Sequence, residues 1–338
     1  MGIPILYDKP FLTYDDQIKY LQEEHKLQIP DTNFAKTALK SITYYDLING
    51  YKDCFMVNDE YIDGITLDFI YNFYFLDKSI QTVLFKYSTI IENSYKGKLA
   101  YVLSSSFGEH QDDYLDPNNF YKTHNKNLKF SYIQNKCYEI IARQDAPQPT
   151  KHYLDNHNHV PAWILFKNVT FSNSINLFLL LKPKEQSAVI DLMLPNAPIN
   201  YNEKVEFLIA ALNIIRQYRN TIAHNLKFIT FSSDKDSLKP NAALKFFNSN
   251  LLKTKDVRKR HIGTNDIYSF ILCLLLLLGD NNLRKLMVLE LLGFIDPPDK
   301  TYKQTAKSIF TPYFGITNLP IDLPIRLRNY AKFLNSTI

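Results

Sequence analysis

The sequence predicts an all-α fold, and three observations carry that expectation. Apolar residues recur at i, i+3, i+4 and i+7 along much of the chain, the spacing that turns one helix face toward a core. The β-branched, alternating runs that mark strands are rare. Glycines number nine in 338 residues, too few for glycine-rich phosphate loops or a series of tight hairpins, so Rossmann, P-loop and all-β readings are set aside. With 46% hydrophobic and 14% aromatic residues, the chain can bury a large core, as one elaborate domain or two small ones.

The elements follow in order. Thr13, with Asp15, Asp16 and Gln17 after it, supplies a cap and an acidic first turn for a helix over 13–27. Pro30-Asp31-Thr32 closes that helix and opens a helical stretch over 32–57 with a turn at Gly50. A helix is expected from about Thr66 through Tyr74. The longest helical pattern covers 79–108, with Leu84, Tyr87, Ile91, Tyr95, Leu99 and Val102 on one face and Gly108 as its stop. "DDYLDPNNF" is turn-rich. Residues 128–143 read as a helix, and the Pro-, Asn- and His-rich stretch 145–161 as a loop. Two short helices separated by Pro183 come next, then a helix from about Tyr201 to Asn225, with short strands expected near 226–231. Beyond the polar break "SSDKDSLKPN" lie a segment over 242–261 with a basic end, a Leu-rich helix at 265–278, a helix around 281–293 and a proline-containing tail from 310. The expected organisation is three regions, 1–78, 79–232 and 233–338, with no internal repeat.

Lys and Arg total 39 against 34 Asp and Glu, a net charge of +5. That balance permits an anionic partner without demanding one. Cys54, Cys137 and Cys273 form no CxxC pair and read as reduced core residues of a cytoplasmic protein. The start, "MGIPILYDKP", has no basic segment followed by an apolar one, so no signal peptide is expected. Leu6 in place of Ser or Thr argues against N-myristoylation. The most apolar run, "YSFILCLLLLLG", is shorter than the ~20 residues of a membrane span and is expected to be a buried core helix.

The stretch "IIRQYRNTIAHNLKF" carries the chemistry. Val205, Leu208, Leu212, Ile215 and Ile222 form an apolar seam whose missing slot is Arg219. A buried arginine needs a partner. Asn220 and His224, at i and i+4, share a face with Asn213 and Gln217. One surface thus holds a fixed cation, an amide and an imidazole. Arginine grips phosphate bidentately and neutralises developing charge. Histidine takes or gives the proton, and Asn220 orients the imidazole or the phosphate. This set suits RNA cleavage with the 2′-hydroxyl as nucleophile, and it needs no metal and no cofactor. The alternative is an Arg and a His making ordinary capping and ion-pair contacts on a surface helix.

"RNTIAHN" resembles the signature of the HEPN ribonucleases, in which Arg, a polar residue and His recur in this order. The resemblance extends to the Abi-like abortive-infection proteins of the AbiD/AbiF type. It is carried by "KPFLTYDDQIKYLQ", "SITYYDLINGYKDCF", "IIENSYKGKLAYVLSSSFG", "YLDPNNF" and "PAWILFKNVTFSNSINLFLLL", which occur in the family's order over roughly 9–228. It implies a HEPN-like helical bundle with N-terminal and C-terminal helical extensions, with Arg219, Asn220 and His224 as the active-site residues. It also implies a homodimer in which two motifs face one cleft, a phage-defence or toxin role, and control by a small structured non-coding RNA acting as antitoxin. Two positions depart from the family's pattern: Lys96 where Arg is frequent, which keeps charge but loses bidentate grip, and Ser172 where Gly is frequent.

Other groupings are weighed beside this one. Glu92 and Lys96, at i and i+4, are either a routine helix ion pair or a support for Arg219 or His224. "KTKDVRKRH" contains Lys253, Lys255, Arg258, Lys259 and Arg260, a track for an RNA backbone or a solvated helix face. Residues 124–136 mix lysines with Phe130 and Tyr132, a single-strand recipe that an aromatic-rich chain also makes by chance. His152, His157 and His159 with Asp155 read as a polar loop rather than a metal site, because no Cys or distant carboxylate offers a partner spacing. Two functions compete with the ribonuclease: an RNA-binding or RNA-sensing protein using the same cleft without cutting, and a helical interaction module in which Arg219 and His224 are structural.

Overall fold

Capping and apolar periodicity build a helical chain. The computed structural model describes residues 9–121, 130–142, 145–194, 200–233, 235–296 and 300–336. In chain order the helices are α1 Tyr14–Glu23, α2 Thr32–Ser41, α3 Lys52–Phe55, α4 Leu67–Phe107, α5 Gln111–Tyr114, α6 Phe130–Ala142, α7 Thr150–Asn156, α8 Ala162–Leu165 and α9 Phe171–Leu180. They continue with α10 Pro183–Met193, α11 Tyr201–Ala223, α12 Pro240–Phe246, α13 Thr254–Lys259, α14 Ile267–Leu277, α15 Asn281–Ile295, α16 Lys300–Thr317 and α17 Leu323–Ser336. Among the described residues the only sheet is an antiparallel hairpin of β1 Met56–Val57 and β2 Glu60–Tyr61. The fold is all-α, as the sequence predicts. No helix of the described residues is long and apolar enough to cross a membrane.

The chain divides into two compact units: residues 1–80 with 297–316, and residues 81–296 with 317–338. In the first, Thr13 caps α1 reciprocally with Asp16, and the Asp31 carboxylate accepts from the amides of Asn33 and Phe34 to open α2. The helix expected over 32–57 is broken after Ser41, where the chain passes through a π-helical turn at Tyr45–Asn49. Asp77 is buried and accepts from the hydroxyls of Tyr51 at 2.8 Å and Tyr313 at 3.1 Å. That anchoring explains a difference from expectation. Residues 66–74 and 79–108 read as two helices, but "FLDKS" contains neither Gly nor Pro, and the polar Asp77 turns inward. The two merge into the 41-residue α4, which ends before Gly108 at φ +112°.

In the second unit the apolar α14 is buried along nearly its whole length and packs on α11. A helix without a polar face needs neighbours on every side. α9 and α10 also pack on α11, and α17 packs on α15. Short strands were expected near 226–231. Instead, Phe228 and Ile229 are buried in an irregular connection that turns at Phe231, and among the described residues no neighbouring strand exists for them to pair with. The tail from 310 is helical. It carries Pro312 inside α16 and Pro324 in the first turn of α17, where the missing N–H costs little.

Candidate active site

α11 holds the Arg-Asn-His motif in its last turns. Its N-terminus is capped by Asn200, whose side chain accepts from the Glu203 amide at 2.9 Å. The buried face is Phe207, Leu208, Ala211, Leu212, Ile214, Ile215, Tyr218 and Thr221. The seam's missing slot therefore belongs to Tyr218. Its ring stacks on Phe270, and its hydroxyl donates to the Phe231 and Asn265 carbonyls. Arg219 sits one position round, at the border between core and surface.

That border position is where its charge is compensated. Glu92 of α4 approaches the Arg219 Nε at 3.3 Å and accepts from the Lys96 ammonium at 2.7 Å. Glu92 and Lys96 are both buried, and the Arg219 side chain is 31% exposed. The Nε–H is out of line for a hydrogen bond to Glu92, so the contact is an ion pair. Nη1 donates to Asn220 Oδ1 at 3.0 Å, and the guanidinium lies over the Phe85 ring at 6.0 Å. Two cations share one carboxylate, which leaves one net positive charge. Of the five guanidinium donors, those of Nη2 have no protein partner among the described residues. This is a held cation with unspent donors, the requirement for gripping a phosphate.

His224 lies beyond the last helical residue. It is the C-cap, at φ −97° and ψ 11°. Asn225 follows at φ +52°. The Asn225 amide donates to Ile222 O at 3.0 Å and the Leu226 amide to Thr221 O at 2.9 Å. This is a Schellman ending with asparagine in the left-handed position. The imidazole is exposed and has no hydrogen-bond partner among the described residues. The fold therefore brings Arg219, Asn220, Glu92 and Lys96 together, and among the described residues no hydrogen bond or ion pair joins the His224 imidazole to them.

The remaining candidates separate. In the basic run, Lys253 pairs with Asp322 at 2.8 Å and Arg260 leans on Asp256 at 3.7 Å. Lys255, Arg258 and Lys259 are exposed on α13. Asp256, in the middle of the run, is fully buried and is gripped by Arg326, itself 2% exposed. Arg326 also donates to Asp322 and to the Leu251 carbonyl. Burial raises the Asp256 carboxyl, but hydrogen bonds from Arg326 and the Lys253 amide overrule it and leave its pKa lowered. No local pattern announces this pair, because its members lie on different helices 70 positions apart.

In the 124–136 segment, residues up to 129 lie outside those described. Phe130 is buried against Phe120 with ring centroids 4.4 Å apart, so it offers no stacking face, whereas Tyr132 is exposed. The histidine-rich stretch expected as loop contains α7. There Lys151 engages Asp155, and His152 and His157 sit with ring centroids 5.9 Å apart. No group of His, Cys, Asp and Glu among the described residues is arranged to hold a metal ion. Ser172 lies in the first turn of α9, a right-handed helical position that makes no use of glycine's freedom.

The sequence model of the Abi-like protein family matches residues 37–230. That span runs from α2 to the connection just beyond His224. No curated protein and no solved structure matches the chain.

Proposed function

The chain belongs to the Abi-like protein family, and on that premise we propose that it is a HEPN-class endoribonuclease of abortive infection, the bacterial defence against phage. The observation that carries the reading is Arg219. It is held by Glu92 and Asn220 at the edge of the core, yet its Nη2 donors, like the imidazole of His224 five positions on, have no partner among the described residues. Arginine binds the scissile phosphate and offsets the charge of the pentacovalent transition state. His224 removes the proton of the 2′-hydroxyl as that oxygen attacks phosphorus. The bond to the 5′-oxygen breaks, and the leaving oxygen takes a proton from a second imidazole. The products are a 2′,3′-cyclic phosphate and a 5′-hydroxyl.

The second imidazole comes from a homodimer. On a straight helix, residues five apart are about 140° apart around the axis. The Arg219 of one protomer and the His224 of its partner converge more readily than the two within one chain. The same separation favours one alternative, an RNA-binding or RNA-sensing protein that holds RNA in this cleft without cutting it. A non-coding RNA antitoxin is a natural occupant of either version.

Expression toxicity tests the proposal. Wild type is expected to arrest growth and Arg219→Ala and His224→Ala are expected not to, with both variants accumulating as folded protein. Cleavage of RNA by purified protein is expected to persist in EDTA. Equal toxicity of all three proteins refutes catalysis by this motif. RNA binding without cleavage by the wild type selects the sensing alternative.

A further inference from the structure

A second concave site lies in the first unit. Its cavity, of about 630 Å³, is lined by the segment before α1, by α1 itself and by the turns around Tyr44 and Lys52. That volume suits a ligand the size of one nucleotide. The walls are aromatic and polar rather than aliphatic. Tyr20 and His25 meet edge to face, with ring centroids 4.9 Å apart, and Tyr44 stands beside them.

The polar groups in this wall are left wanting partners. Gln17 Nε2 donates to the Leu12 carbonyl at 3.1 Å, which fixes the orientation of the amide. Gln17 Oε1 is then a buried acceptor with no hydrogen-bond partner among the described residues, and such an atom is costly until a donor reaches it. His25 Nδ1 lies 2.8 Å from the Asp59 carbonyl, so in the neutral ring Nδ1 carries the hydrogen and Nε2 is an acceptor. Among the described residues nothing donates to that Nε2. Burial raises the Tyr44 pKa to about 12, so its hydroxyl stays protonated and able to donate. Lys9 and Lys52 line the same cavity and have no carboxylate partner among the described residues.

We infer that this cavity binds a nucleotide whose base carries an exocyclic amino group, adenine or cytosine. The base stacks on the exposed Tyr20 ring, its amino group donates to Gln17 Oε1, and its phosphate meets Lys9 and Lys52. Aromatic faces, amide groups for base edges and lysines for phosphate are the means by which proteins take single-stranded nucleotides. Uracil presents a carbonyl where cytosine presents the amino group, and it would set oxygen against oxygen at Gln17. The inference stands apart from the cleavage reading, since none of these residues belongs to the Arg219 site.

The test uses the full chain carrying His224→Ala, so that RNA probes stay intact. Fluorescence anisotropy with labelled A8, C8 and U8 octamers is expected to give tighter binding of A8 and C8 than of U8. Tyr20 is 42% exposed, and Tyr20→Ala should weaken A8 binding roughly tenfold, the loss of one stacked base. Gln17→Leu should erase the preference over U8. Competition on the parent protein needs no pocket variant: AMP and CMP displace A8 and UMP does not, if the ligand is a free nucleotide. If only octamers compete, the nucleotide is part of RNA. Equal octamer affinities, unmoved by Tyr20→Ala in a protein that melts like its parent, together with no discrimination in competition, overturn the inference. Loss of toxicity in His224→Ala would remain unaffected by that result.

Discussion

Removing the Glu92 carboxylate should uncover two cations at once. At an effective dielectric of about 20, a charge pair at 2.7 Å is worth about 6 kcal/mol before desolvation, and one at 3.3 Å about 5 kcal/mol. Most of this is offset by taking the groups out of water. Breaking a buried pair typically costs about 3–5 kcal/mol, because the survivor keeps its unpaired charge. Here Arg219 is partly solvated, so the lower end applies, and Glu92→Gln should cost about 3 kcal/mol. In a unit of this size that corresponds to a melting temperature lower by roughly 6–12 °C. Glu92→Gln combined with Lys96→Met removes both members of the buried pair and should recover more than half of the loss. Differential scanning fluorimetry measures the shifts, and a double-mutant cycle isolates the coupling. An ordinary surface i, i+4 pair contributes only about 0.3–0.5 kcal/mol. A Glu92→Gln protein melting within 1–2 °C of wild type would therefore refute the idea that Glu92 compensates Arg219, and would leave a routine helix pair.

Other outcomes follow from the same geometry. Charge reversal of Lys255, Arg258 and Lys259 should weaken RNA binding and reduce its salt slope by up to one unit per lost contact; an unchanged slope would place the RNA track elsewhere. Arg326→Met should destabilise the second unit by about 3–5 kcal/mol, since it leaves Asp256 buried and unpaired, and chemical denaturation reads the loss. The folded Asp256 and Asp322 carboxyls both lie below their ordinary values. Their stabilisation is therefore complete at neutral pH and disappears on acidification through those lowered values; a wild-type midpoint constant down through that range would contradict the assignment. Mixing Arg219→Ala with His224→Ala protein should restore part of the cleavage if two protomers share one site, and a fully active monomer at nanomolar concentration would refute the sharing.

Local signals in the sequence were enough for the helices and for the motif's place on one of them. Thr13, Asp31 and Gly108 act within a turn of where they stand, and each does what its residue type predicts. The Glu92–Lys96 pair was visible for the same reason, being one turn apart. What the sequence withheld is long-range. The Glu92 contact to Arg219 joins two helices; no spacing along either announces it, and it stood only as one of two readings of the Glu92–Lys96 pair. Counting the seam in strict steps put Arg219 in the core, whereas the buried face carries Tyr218. Tyrosine serves equally well inside or outside, so only the Phe270 ring and the Phe231 carbonyl decide its place. Asp256 illustrates the same limit in reverse. Amid five cations it carries no local signal of burial, and only Arg326, from another helix, explains it.

The closing letters of the motif have a structural task that bears on the chemistry. Ala-His-Asn ends α11, and asparagine is one of the few residues that enters the left-handed region at low cost. Its conformation lets the amides of Asn225 and Leu226 take up the last carbonyls. The chain therefore leaves the helix at His224, and the imidazole departs from the spiral that carries Arg219. The two groups consequently differ in freedom. Arg219 is fixed by Glu92 and Asn220, as a group that must meet a phosphate in one geometry should be. His224 has no partner among the described residues to select its tautomer or aim its ring. A general base normally needs such a partner, and the described residues of a single chain supply none. A second copy placed across the cleft would supply both the orienting contact and the second proton carrier, which is why the proposed chemistry requires two protomers where binding alone would need one.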